Sequence, residues 1–192
     1  MNKWITGSSI AVLALCGFSL MAKAPAGWFA AGNKPADYDI SPDPTAAYMG
    51  LPSVRLKSTK PEIQGFGTMM QSIGAEQYQG KRIRFSAFVS SENIAEWAGL
   101  WVRVDKGKDS VAFDNMQQRA KGTSEWKSYQ VVLDVPEDAT GISFGILLSG
   151  TGSALINGAK FEVVDRNVPV TNTSITSMGK PSAGPKNLSF EN

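Results

Sequence analysis

The nine residues 81–89 limit most sharply what this chain can become. Ile83, Phe85, Ala87 and Val89 fall on one side of a two-residue repeat, and Arg82, Arg84, Ser86 and Phe88 on the other. A period of two is that of a half-buried strand, and a slip of one residue would bury two guanidinium groups. The register of this strand is therefore fixed, and its apolar side demands a second layer to cover it. The same alternation returns in Val54-Arg55-Leu56-Lys57 and in Leu100, Val102 and Val104, which interleave with Trp101, Arg103 and Asp105. It returns again in Tyr129, Val131, Leu133 and Val135, stopped by Pro136, and in Ile142, Phe144, Ile146 and Leu148. Residues 66–73 read as a less strict strand, and the last strands fall near residues 154–156 and 159–164. Turn signals separate these runs and no amphipathic helix interrupts them. The expectation is an all-β chain, an antiparallel jelly-roll β-sandwich of about eight to nine strands.

The intervening text reads as connection. Residues 27–50 carry Pro35, Pro42 and Pro44 among Asn, Asp and Gly, which is turn chemistry, with Trp28, Tyr38 and Tyr48 as anchors for a long first loop. Residues 90–96 and the polar run from Gln117 to Glu125 read as loops, and Lys106-Gly107-Lys108-Asp109 as a hairpin turn. After Val164 the chain turns polar and Pro/Gly-punctuated, so residues 165–186 read as a flexible linker. Residues 187–192, NLSFEN, look like a strand again.

The first residues have the grammar of a secretory signal: Lys3, then an uncharged apolar run from Ile10 to Met21, then small residues. Two cleavage sites compete, Ala22-Lys23-Ala24 and Ala24-Pro25-Ala26, and the second avoids a proline just after the cut. Residues 1–26 are thus expected to be a signal peptide and residues 27–164 the sandwich. Lipidation at Cys16 and an uncleaved anchor are the alternatives. Cleavage removes Lys3 and Lys23 and no acid, leaving 17 basic residues against 17 acidic ones, and it removes the only cysteine. Such a chain offers no disulfide and no electrostatic case for nucleic acid. Once the signal is cut it offers none for a membrane either. Its expected address is outside the cytoplasm, secreted or at the cell surface.

Histidine is absent. Ser-His-Asp and Cys-His nucleophilic machinery and histidine metal sites are excluded with it. Most acids sit in turns, among them Asp37, Asp39, Asp43, Asp109, Glu137 and Asp138, and only Glu92, Glu96 and Asp114 lie near the aromatic stretch. One or two acids do not make the facing pair that glycoside hydrolysis uses. What remains is the stretch from Trp97 to Gln117. Sugar rings have apolar faces that stack on indoles and hydroxyls that seek planar polar groups. Trp97, Trp101, Arg103, Phe113, Asp114, Asn115 and Gln117 supply both and are the candidate ligand-binding residues. A second reading stands beside it: half-buried aromatics on strands pack sheets, and Arg103 and Asp105, two apart on one face, pair with each other. Arg82 and Arg84 read as solvated charges, and Trp126 and Tyr129 as core.

Four segments together resemble the galactose-binding-like, carbohydrate-binding jelly-roll modules of bacteria: SVRLKS at 53–58, YQGKRIRFSAFV at 78–89, TSEWKSYQVVLDVPEDA at 123–139 and GISFGILLSGTGSALINGAKFEVV at 141–164. The resemblance spans roughly residues 27–164. More narrowly, GWFAAGNKPADYDI, WAGLWVRVD and AFDNMQ resemble an uncharacterised bacterial family sometimes filed as transcriptional regulators, although no helix-turn-helix and no basic face is legible. The resemblance implies an exported, non-catalytic module for a glycan or other small polar ligand. The alternatives are a structural or interaction protein of the cell surface and, further off, a glycoside hydrolase. Many such modules hold a structural calcium with aspartates in the penultimate strand. Here that place reads Ile156-Asn157-Gly158-Ala159, and no cofactor or metal is expected. They also begin with an N-x-x-F-E strand, which this chain carries only at Asn187–Glu191. Folding back into its own sandwich, exchange with a neighbour, and the stub of a further module all remain open, with the self-filled monomer preferred.

Overall fold

The computed structural model describes residues 24–171. Nine strands follow one another: β1 (Phe29–Gly32), β2 (Tyr38–Tyr48), β3 (Leu51–Ser58), β4 (Phe66–Gly74), β5 (Arg82–Lys106), β6 (Asp109–Asp114), β7 (Ala120–Asp134), β8 (Gly141–Ser149) and β9 (Ser153–Val164). All pairs are antiparallel, and a 3-10 turn at Pro35–Asp37 is the one helical element among the described residues. The architecture is all-β, as the alternation requires.

The organiser is β5. Its first half, Arg82–Glu92, lies between β7 and β9, and its second half, Trp97–Lys106, pairs β8 on one side and β6 on the other. Between them the pairing with β7 slips three times, at Val89/Ser91, Ser91/Ile94 and Ile94/Ala98. Asn93 adopts a φ of 51° there. Bulges increase local twist and bend a strand. The sheet therefore curls at residues 90–97 into two layers of a jelly-roll-like sandwich, β7–β5–β9–β3–β2 and β6–β5–β8–β4–β1. Gly152 fits against the outside of the bend at a φ of 122°. A Cβ there would lie 2.7 Å from the Ile94 Cα.

The inward positions meet between the layers. Phe144 of β8 lies 5.0 Å from Phe85 of β5 and 4.5 Å from Phe161 of β9, centroid to centroid, and Trp28 meets Phe144 edge-on. Ile83, Val89, Leu100, Val104, Ile146 and Leu148 are fully buried around them. Each such aliphatic or aromatic side chain contributes roughly 1.5–3 kcal/mol by leaving water.

Several expectations need correction. Residues 27–50 are largely strand, β1 and β2. Pro42 and Pro44 are compatible with this because β2 is an edge, where a missing N–H costs no ladder bond. Tyr38 is more than a loop anchor. Its hydroxyl hydrogen is shared between the Gly65 and Gly150 carbonyls at 3.0 and 2.9 Å, and burial, aided by Glu96 and Asp37, pushes its pKa up to about 12. Residues 90–96 belong to one continuous strand, and β7 begins at Ala120, inside the run read as a polar loop. Arg82 and Arg84 are not merely solvated, since they pair with Asp134 and Glu162 at 2.8 and 2.9 Å. Trp126 is half-buried on the outer face, stacked 4.9 Å from Tyr48, whereas Tyr129 does pack against the core.

At the ends, Ala24 packs on the core and Trp28 donates its N–H to the Pro25 carbonyl at 2.9 Å. A boundary at residue 26 would fall inside this turn. Residues 165–171, assigned to the linker, are held: Arg82 donates to the carbonyls of Arg166 and Val168, and Arg166 to that of Gly80. The rest of the signal segment and linker and the strand at 187–192 lie outside the described residues.

Candidate functional site

Alternation along the second half of β5 decides which predicted residues share a face. Ala98, Leu100, Val102 and Val104 point into the core, so Trp97, Gly99, Trp101, Arg103 and Asp105 form a row on the outer face. Pairing extends the row sideways: Trp101 stands opposite Gly145 of β8, Gly145 opposite Met70 of β4, and Met70 opposite Phe29 of β1. On the other flank Arg103 stands opposite Phe113 of β6. The strip is thus aromatic at its margins, with glycines at 99 and 145, and the Met116 thioether and the Trp97 ring lie over Gly99.

Gly145 is there because nothing larger fits. A Cβ would run into the Met69 carbonyl and come within 2.9 Å of the Met70 Cα. The Trp101 indole reaches across, donating its N–H to Thr68 Oγ1 at 2.9 Å, and Thr68 passes its own hydroxyl hydrogen to the Ile146 carbonyl at 2.7 Å. At 7% exposure Trp101 is a buried floor tile on an outer face, satisfied at its one polar atom. Trp97 is half-buried, and the Arg119 guanidinium lies 3.9 Å over its ring. Arg119 is itself aimed, by the Met116 carbonyl at 2.8 Å and Asn115 Oδ1 at 3.0 Å. Arg103 pairs with Asp105 at 2.9 Å, as their spacing predicts, while its side chain stays 46% exposed. Phe113 is 44% exposed.

The remaining candidates stand elsewhere. Asp114 pairs with Val102 and so shares the inward face, where it is buried. Its Oδ1 accepts the Met116 N–H at 2.8 Å and its Oδ2 the Thr171 hydroxyl at 2.5 Å, which ties the β6–β7 connection to the chain beyond β9. Asn115 acts on Arg119. Gln117 is exposed and lines a groove of about 590 Å³ with Met116, Gln118, Ser128, Tyr129, Gln130, Val170 and Thr171. So the seven residues divide. Trp97, Trp101, Arg103 and Phe113 share one surface, Asn115 supports it through Arg119, and Asp114 and Gln117 adjoin the groove.

Sequence reasoning missed Arg119, Thr68, Gly145 and Thr171. A glycine inside an alternating strand does signal close backbone approach, so Gly145 was findable. Thr68 and Thr171 act on partners 33 and 57 residues away, without local trace.

Among the described residues no three His, Cys, Asp or Glu side chains gather as metal ligands do. At the position where the resembled modules carry aspartate, Asn157 Nδ2 donates to the carbonyls of Leu51 and Pro52 and to Ser53 Oγ, at 2.8, 3.1 and 3.0 Å. An uncharged amide takes up these three oxygens. No described helix is long and apolar enough to cross a membrane.

No family model matches the chain. A Bacillus subtilis (strain 168) protein named as an uncharacterised HTH-type transcriptional regulator, YbfP, is 42% identical over 176 residues, which take in 90% of this chain and 59% of that protein. The chain therefore spans about three-fifths of the relative it matches. The described residues contain no α-helix, and a helix-turn-helix needs two. Among solved structures, the xylan-binding domain CBM22-1 of Paenibacillus barcinonensis Xyn10C aligns at 15% identity and a TM-score of 0.51, over 76% of this chain and 90% of that one. A CBM61 module in complex with β-1,4-galactotriose aligns at 14% identity and a TM-score of 0.50, over 77% and 94%. The enzymatically active domain of bacteriophage CBA120 tailspike protein 4 reaches a TM-score of 0.56 at 13% identity, over 72% of this chain and 20% of that one. What this chain shares with these structures is the fold, the sandwich on which carbohydrate-binding modules are built.

Proposed function

We propose that the chain is an exported, non-catalytic module that binds a glycan along the outer face of β5, β6 and β8. One observation carries the reading: Trp97, Trp101, Arg103 and Phe113 share a single face, and Arg103 and Phe113 are exposed on it, at 46% and 44%. A sugar chain needs a flat apolar strip for its ring faces and planar polar groups beside it for its hydroxyls. In this reading Trp97 and Phe113 are the stacking surfaces, Arg103 and Arg119 the hydroxyl partners, and Trp101 the floor that holds them in plane. Fold neighbours that are named as xylan-binding or solved with galactotriose support the ligand class.

The test is binding of the full chain to an array of polysaccharides, including xylan and β-1,4-galactan, beside Trp97→Ala, Phe113→Ala and Arg103→Ala. Loss of an aromatic platform is expected to weaken binding at least tenfold, about 1.4 kcal/mol, with the melting temperature nearly unchanged. An array with no bound glycan, or variants that bind as well as the parent, would overturn the assignment.

A second reading, an interaction protein of the cell surface, is favoured by a separate patch on the other layer. There Tyr48 stacks on Trp126 and touches Phe88, beside Met49 and Leu51 at 71% and 50% exposure. Under that reading glycans fail and a Met49→Ser, Leu51→Ser variant loses self-association in sedimentation.

A further inference from the structure

The exception among the arginines is Arg119. Of the four half-buried guanidinium groups among the described residues, those of Arg55, Arg82 and Arg84 each pair with an acid, and Arg119 makes no ion pair. A charge drawn partly out of water without a counter-charge is unfavourable. Asp114, Asp105 and Glu96 border the strip in sequence, and each is engaged. Asp114 faces inward and accepts the Met116 N–H and the Thr171 hydroxyl. Asp105 is held by Arg103, and Glu96 accepts the Ser149 hydroxyl at 2.5 Å.

What holds Arg119 is neutral. Its Nε donates to the Met116 carbonyl at 2.8 Å, its Nη2 to Asn115 Oδ1 at 3.0 Å, and its Cζ lies 3.9 Å from the centroid of the Trp97 ring. Met116 is itself fixed: it is buried, its N–H donates to Asp114 Oδ1, and its thioether accepts the Leu100 N–H at 3.1 Å. The guanidinium is thus positioned by a rigid frame and not drawn there by a charge. The two bonds use its Nε–Nη2 edge. The other edge, Nη1 with the second Nη2 hydrogen, is the parallel fork that matches a carboxylate bidentately, and neither bond occupies it.

Given glycan binding on this face, as proposed above, we infer that the glycan is acidic, bearing carboxylates as uronic acids do, and that the Nη1–Nη2 edge of Arg119 receives one of them. The bound carboxylate supplies the counter-charge that the fold withholds. Arg103 does not take this part, because Asp105 already neutralises it. A frame that fixes the guanidinium in advance lowers the ordering cost of binding. The formal charge of the whole chain is only +2, so a preference for acidic polymers comes from this residue and not from bulk attraction.

The test titrates the full chain with polymers in matched pairs, each acidic glycan beside its neutral counterpart: polygalacturonate with its methyl ester, and glucuronoxylan with its carboxyl-reduced form. The parent is expected to bind the acidic member of a pair more tightly, by about tenfold or more. Arg119→Gln and Arg119→Lys are both expected to abolish that preference, since lysine keeps the charge and loses the fork. The readout is the ratio within a pair, which a merely structural loss at Trp97 leaves as it was. Neutral members bound as tightly as acidic ones, or a preference that survives in either variant, would overturn the carboxylate assignment while glycan binding stands. A parent that binds no polymer of either kind, here or on the array, would overturn glycan binding itself, and the acidic ligand with it.

Discussion

The two halves of β5 share a strand, a core and a period of two, yet present opposite outer surfaces. In the first half the outward positions are Arg82, Arg84, Ser86 and Phe88, and the arginines are drawn to Asp134 on β7 and Glu162 on β9. At the end of that half Glu92 receives Arg55, which is also held by Asp43. Neighbouring strands are laced together by charge, and the surface is filled. In the second half the outward positions are Trp97, Gly99, Trp101, Arg103 and Asp105, and the strand alongside contributes Gly145. Here the Met116 thioether lies over Gly99, and the Trp101 indole reaches across to Thr68. The inner face of a strand reports how the sandwich holds together. The outer face differs between the layers, laced by ion pairs in the first half and carrying two indoles in the second.

The comparison breaks hardest at Trp101. Although it points outward, it is as buried as the core, so Trp101→Ala should cost about 3–5 kcal/mol, the same range as Phe85→Ala on the inner face of the first half. Trp101→Phe keeps most of the packing and gives up the bond to Thr68, for a loss near 1 kcal/mol. Urea denaturation of the three variants checks this. A Trp101→Ala cost under about 1 kcal/mol would mean that the indole is loosely held and that its role is in contact with ligand rather than beneath it.

Gly145→Ala probes the same floor from below. The new methyl meets the backbone of Met69 and Met70, not the tip of a yielding side chain, so β4 and β8 must separate. Overpacking of this kind costs about 1–3 kcal/mol. It should also tilt the strip, so glycan binding is expected to fall with it. Gly141→Ala is the control on the same strand, since its Cβ would meet only the Ile73 carbonyl, at 3.8 Å. A Gly145→Ala variant as stable as the Gly141→Ala control would show that the close approach of β4 does not exclude a side chain at residue 145.

Much of this was legible before any coordinates. Alternation fixed the inward sets of β5, β7 and β8, and the i, i+2 spacing already put Trp101, Arg103 and Asp105 on one side. Other elements were illegible for stated physical reasons. The prolines of β2 read as turns because sequence does not show which strands will be edges. Ser90-Ser91-Glu92-Asn93 read as a loop because bulges erase the period where the sheet bends. Asp114 read as a ligand group because nothing local tells that Thr171 will return to it. Burial on an outer face, the property that makes Trp101 a floor, depends on Gly145 one strand across and Thr68 two strands across, and no short window of sequence contains all three.

The smallest expected effect lies on the charged half. The Thr45 hydroxyl, and after it the Arg55 guanidinium, hold the Asp43 carboxyl at about 2, below its ordinary 3.8. A carboxylate whose folded value is depressed stabilises the fold fully above its unfolded value and loses that contribution as pH falls through the folded one. Parent and Asp43→Asn should therefore differ most at pH 5 and above, by about 1 kcal/mol or less, and converge as the pH drops from 4 toward 2. Urea midpoints at stepped pH measure the convergence. A difference that stays constant down to pH 2 would assign the Asp43 contribution to its turn geometry at Thr45 and Ala46, leaving charge no part in it. The contrast between the halves would then narrow to shape alone, the long outer side chains of one against the glycines and flat indoles of the other.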